Sequence, residues 1–193
     1  MANINTETLD NLRVSLSIKA KNGIDFTSAA AIIWLLIAVI WKMGFSDYDK
    51  SVLTFVVGGF MLPLALLFSK LIKTVWTDKE NPLQPLGLWL NFAQLFYFPF
   101  LIFTLVKFPT YFVMTYAIIT GAHFFPYAWF YKTPLFAIAA GIISVGAMLG
   151  GFILESEMMF LIPLSVSTAL ILLSILLYVD SNAKSRKLKS EAS

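Results

Sequence analysis

Ile24-Asp25-Phe26-Thr27-Ser28-Ala29-Ala30-Ala31-Ile32-Ile33-Trp34-Leu35-Leu36-Ile37-Ala38-Val39-Ile40-Trp41-Lys42-Met43 is a run of twenty residues with charge only near its edges. About 20 apolar residues is what ~30 Å of hydrocarbon requires of a helix. Five further stretches repeat the pattern, over residues 51–73, 86–107, 108–131, 134–154 and 158–179. The chain therefore reads as an all-α membrane protein, a bundle of six transmembrane helices.

Composition agrees. Of 193 residues, 59% are hydrophobic and 13% charged, with a mean hydropathy of +0.80; soluble domains hold about 45–50% apolar and about 25% charged residues. The net charge of +3 does not argue for nucleic acid, because the basic residues fall where membrane topology needs them. With no cysteine, disulfides, thiolate metal sites and cysteine nucleophiles are excluded. Residues 1–23 lack the apolar core and small-residue cleavage site of a secretory signal, so the first span is expected to be its own insertion signal. The C-terminus carries no prenylation or retention motif.

Charge sets the expected orientation. With a cytoplasmic N-terminus, the inner segments hold Arg13, Lys19, Lys21, Lys70, Lys73, Lys79, Lys132, Lys184, Arg186, Lys187 and Lys189, against only Lys42, Lys50 and Lys107 outside. An even number of spans returns the C-terminus to the cytoplasm, as its basic tail requires. Before the membrane, Leu9, Leu12, Leu16 and Ala20 recur at helical spacing, and Gly23 stands where a left-handed cap would be. The expected division is an amphipathic interfacial segment over 1–23, the six-helix domain over 24–179, and a basic, disordered cytoplasmic tail over 180–193.

Polar groups inside a bilayer are the best pointers to function. No Asp, Glu, Lys or Arg lies deep in any span, so a buried-carboxylate transport mechanism, a voltage sensor and a retinal Schiff base all lack their usual residue. Neutral groups remain. Tyr116, Thr120, His123 and Tyr127 are spaced by four, three and four and share a helical face. Asn91 and Gln94 share a face of the third span, with Tyr97 one turn further out. Gln94 and His123 each lie eight residues from an inner boundary, ~12 Å deep. The short link around Lys107 makes the two helices antiparallel neighbours, so these seven residues are expected to form one ligand-binding cluster.

Pro63, Pro99, Pro126 and Pro163 fall within spans and are expected to kink them; Pro126 releases the Ala122 carbonyl beside the cluster. The fifth span carries a GxxxG pattern at Gly146 and Gly150, which predicts close helix packing within the bundle or a homo-oligomer contact. No enzyme is expected: there is no nucleophile elbow, Walker loop or HExxH, and one histidine without a neighbouring acid makes neither a metal site nor a catalytic base. No cofactor is implied.

The segment Gly121-Ala122-His123-Phe124-Phe125-Pro126-Tyr127-Ala128-Trp129-Phe130-Tyr131, with Gln94-Leu95-Phe96-Tyr97-Phe98-Pro99, resembles a small bacterial multi-pass membrane-protein family of unknown function. The resemblance covers most of the chain and implies a bacterial plasma membrane, but no activity. Two functions follow as expectations. One is a membrane protein, a channel or facilitator among the options, that binds or passes a small neutral or aromatic solute or a lipid through the cluster. The other is a non-catalytic accessory protein that packs on a partner, or on itself, through the small-residue face of the fifth span.

Overall fold

The structure is a computed structural model that describes residues 6–191. The first five residues of the 1–23 segment and the last two of the 180–193 tail lie outside the described residues. Among the described residues the order is α1 (Thr6–Lys19), α2 (Ile24–Lys42), α3 (Asp47–Gly58), α4 (Met61–Ile72), α5 (Gln84–Leu95), α6 (Phe98–Lys107), α7 (Phe112–Phe130), α8 (Leu135–Ile153) and α9 (Leu161–Glu191). Five stretches are long and apolar enough to cross a membrane: Lys21–Lys42, Asp47–Ile72, Gln84–Lys107, Leu135–Ile153 and Ser156–Ser190. The fourth expected span, α7, matches α8 at 19 residues but is diluted by Tyr116, Thr120, His123, Pro126 and Tyr127, so it falls outside that set.

The core is built around α2. Trp34, Ile37 and Trp41 are buried on its inner face, and α2 packs along α9 and α4. The most extensive pairing in the bundle is α7 against α8, where Gly121 lets the backbones approach: a Cβ there would lie 2.9 Å from the Ser144 amide nitrogen. The third stretch is peripheral. About a tenth of it (11%) is buried against 67% of the first, and no residue of α5 is buried.

Pro63 is the third residue of α4, Pro99 the second of α6 and Pro163 the third of α9. Just before Pro63 and Pro99 two spans lose the regular α-helical ladder while keeping near-helical backbone angles, as a missing N–H entails. Gly59 and Phe60 separate α3 from α4, and Phe96 and Tyr97 separate α5 from α6, at the thirteenth and fourteenth residues of stretches 26 and 24 residues long. The breaks lie at matching mid-depth on adjoining helices, since Phe55 and Phe98 meet edge to face at 5.5 Å. Among the described residues, only Pro126 lies beyond the first turn of a helix, and α7 continues past it.

At the end that carries the described N- and C-terminal helices, Lys21, Asn22 and Gly23 all take left-handed backbone angles and turn α1 sharply into α2. The helix expected to reach Asn22 therefore stops at Lys19. Asn22 is fully buried: it accepts from the Ser17 hydroxyl and donates to the Leu177 carbonyl at 3.0 Å and to Asp180 at 2.9 Å. Lys184 completes this corner, 2.6 Å from Asp180 and donating to Ser17 and the Tyr131 carbonyl. The corner explains why residues 180–191, expected to be a disordered tail, continue α9 as helix: Asp180 and Lys184 pair one turn apart and both are anchored to the bundle. At 31 residues α9 is ~46 Å long, more than a bilayer core spans.

Candidate functional site

α7 lies between α8 and the α5–α6 pair and presents its four polar residues from its first third to its C-terminal end. Near the C-terminal end the Tyr127 hydroxyl donates to Asn91 Oδ1 at 3.1 Å, while the Asn91 amide donates to the Gly87 carbonyl at 3.0 Å in its own helix. Tyr127 also packs edge to face with His123 at 5.3 Å and stacks with Tyr131 at 5.9 Å. The α5 and α7 faces thus meet through Asn91 and Tyr127, and His123 touches Tyr127 within α7. Tyr116 points elsewhere, toward the break in the second span: its ring is 5.2 Å from Trp34, and a Cβ on Gly58 would sit 2.7 Å from its hydroxyl. Gly58 and Trp34 are neighbours that the polar spacing did not reveal.

Gln94 is the eleventh of 24 residues in its stretch, and Thr120 and His123 are the ninth and twelfth of 19 in α7. All three are at mid-span. Among the described residues, the side chains of Gln94, Tyr97, Tyr116, Thr120 and His123 make no hydrogen bond. Tyr97 sits in the break between α5 and α6 and is half exposed on the outside of the bundle, at 52%. The released Ala122 carbonyl has company: Pro63 and Pro99 likewise offer no N–H to the carbonyls of Gly59 and Leu95.

Polar chemistry that sequence reading missed lies at the two ends of the bundle. Asp25, in the first turn of α2 and 1% exposed, accepts from the Thr74 hydroxyl and the Trp76 indole, each at 2.5 Å, and from the Phe26 amide at 3.0 Å. It fixes the loop after α4, and Lys19 joins that loop through Asp78 at 2.8 Å. The signal was present as a carboxylate inside the first apolar run. At the opposite end Asp47 accepts from Thr110 at 2.7 Å and faces Lys50 at 3.4 Å, tying α3 to the α6–α7 link. Both acids are occupied by structural donors. No group of three or more His, Cys, Asp or Glu side chains that could hold a metal is found among the described residues.

In α8 the GxxxG pair divides. Gly150 is packed against Ile162 of α9, whereas a Cβ on Gly146 or Gly141 would meet nothing within 4 Å.

Apolar helices of spanning length, interrupted at mid-depth and lined there by neutral polar groups, define a multi-pass helical membrane protein. Residues 9–180 match DUF7010, a family of unknown function, and the chain belongs to that family. No curated protein and no solved structure matches it.

Proposed function

We propose that the chain crosses a bacterial plasma membrane six times, with α7 as the fourth span and both ends cytoplasmic, and that the α5–α7 cluster binds or passes a small neutral solute. The topology rests on eleven basic residues in the inner segments against three outside. α1 then lies along the inner membrane surface, with Arg13 bonded to the Trp129 carbonyl at 2.6 Å.

The observation that carries the function is the set of polar side chains at mid-span with no hydrogen-bond partner among the described residues: Gln94, Thr120, His123 and, nearer the outer end, Tyr116. In hydrocarbon each such group costs several kcal/mol, so a solute or water that supplies the missing bonds is favoured there. Released carbonyls at Gly59, Leu95 and Ala122 add acceptors, and Trp34, Tyr116 and Tyr127 add ring faces. That chemistry suits a neutral molecule, or a lipid headgroup, with N–H or O–H donors and a flat or aromatic surface.

Thermal-shift measurements in detergent with amides, polyols, phenols and indole test the reading. At least one should raise the wild-type melting temperature and have no effect on His123→Ala and Gln94→Ala. If none stabilises the wild type and both variants only melt lower, the groups are structural and the binding role is wrong. The accessory reading keeps one supporting feature, the open face of α8 at Gly141 and Gly146; a stable dimer disrupted by Gly146→Leu would favour it.

A further inference from the structure

A recess lies on another flank of the bundle, away from the α5–α7 cluster. It is a half-open groove of about 320 Å³ between α2, α4 and α9, lined by Ser28, Ile32 and Leu35 of α2, Phe68 of α4, and Ile171 and Ile175 of α9, with Ser167 and Ser174 at its floor. All three helices belong to membrane-spanning stretches, so the open side faces hydrocarbon. The floor makes no demand for a polar ligand: Ser167 donates to the Ala31 carbonyl at 2.8 Å, and Ser174 lies 2.8 Å from both Thr27 Oγ1 and the Leu170 carbonyl. From Ser28 to Leu35 the groove follows α2 for ~10 Å.

One end of the groove is different. Ser28, one turn into α2, makes no hydrogen bond through its hydroxyl among the described residues. At the C-terminal end of α4, exposed Lys73 caps the helix and Lys21 reaches across to donate to the Ile72 carbonyl at 2.6 Å, while Lys70, about 200° round α4 from Phe68, faces away from the groove. Of the acids at this end, Asp25 is buried and turned to Thr74 and Trp76, Asp78 is paired with Lys19 and Asp180 with Lys184, so Lys21 and Lys73 leave this mouth positive. An apolar slot, then a free hydroxyl, then ammonium groups follow the order of acyl chain, ester and phosphate in a phospholipid.

We propose that this groove holds one acyl chain of an anionic phospholipid, with its ester near Ser28 and its phosphate beside Lys21 and Lys73. The bound lipid covers the seam between α2, α4 and α9 and is independent of the α5–α7 cluster.

Native mass spectrometry of the full chain released from detergent tests this with phosphatidylglycerol and with phosphatidylcholine of the same chains. One phosphatidylglycerol should be retained about tenfold better than phosphatidylcholine, as two lysines at the membrane surface imply. Lys73→Gln should remove most of that preference, and Lys70→Gln, on the far face of α4, should leave it unchanged. Ser28→Phe, which fills the groove, and Ile175→Trp, at an exposed position that tolerates bulk, should each remove retention of both lipids. Equal retention of the two lipids by the wild type would overturn the proposal. So would unchanged retention in Ile175→Trp, even if Ser28→Phe fails to fold, or full displacement by glycerol phosphate, which would show a bare anion site.

Discussion

Asp25 shows how much one side chain can organise at a membrane boundary. Its carboxylate accepts three bonds, two of them from Thr74 and Trp76, about fifty residues along the chain. Asp25→Ala leaves the half-buried Trp76 indole without its acceptor, while Thr74 keeps its bond to Ser69, so a loss of about 1–3 kcal/mol is expected in detergent unfolding, with Trp76 becoming more accessible to acrylamide. Asp25→Asn, which keeps one acceptor, should lose less. The Tyr127–Asn91 bond is a smaller matter, and a double-mutant cycle with Tyr127→Phe and Asn91→Ala should give a coupling of about 0.6 kcal/mol. Residue types and helical spacing were enough to set Tyr127 of α7 against Asn91 of α5. They could not show that Tyr116 turns to Gly58, because that contact depends on where the second span breaks. Nor could they pair Asn22 with Asp180, which are 158 positions apart.

Among the helices, close approach is set by particular glycines rather than by a motif. A Cβ at Gly121 would press on backbone and side chain of α8, whereas at Gly146 it would meet open space. Gly121→Ala should therefore destabilise by about 1–3 kcal/mol, and Gly146→Ala should be neutral or stabilise by about 0.5–1 kcal/mol; detergent unfolding of the two variants compares them directly. α1 is held by charge. Asp10 faces Lys132 at 2.8 Å and Arg13 at 2.9 Å, and its bond to Lys132 holds its carboxyl below the ordinary 3.8. A depressed carboxylate contributes stability that is present above pH ~3.8 and is lost as pH falls through the lowered value. Amide exchange in α1, corrected for intrinsic rates, should accelerate in acid, and Asp10→Asn should do the same at pH 7. Apolar run length revealed the spans, but not their interruptions. A proline marks a missing N–H, while neighbouring contacts determine whether the helix continues, as at Pro126, or restarts, as at Pro63 and Pro99.

The molecule as a whole is a tightly packed set of α2, α4, α7, α8 and α9 with the third stretch laid on its edge. Acids fasten both ends, Asp25 and Asp180 at one and Asp47 at the other, and between them Gln94, Thr120 and His123 make no side-chain hydrogen bond among the described residues. Class, length and charge bias could be read from the chain because hydrocarbon thickness and the positive-inside rule act on sequence directly. The two polar ends could not, because they are assembled from loops whose partners only folding brings together. A chain without cysteine offers a clean test of whether the cluster is open to a polar solute. Single-cysteine variants Thr120→Cys, His123→Cys and, as a control on the exposed face of α8, Ile142→Cys can be reacted in membranes with a small hydrophilic methanethiosulfonate, an electrophile that the thiolate attacks with loss of sulfinate, so that only a wetted site reacts fast. The account predicts that positions 120 and 123 react at rates nearer to an exposed-loop control, Lys79→Cys, than to Ile142→Cys. If both are as inert as position 142, the cluster is sealed, and its role as a binding site is contradicted.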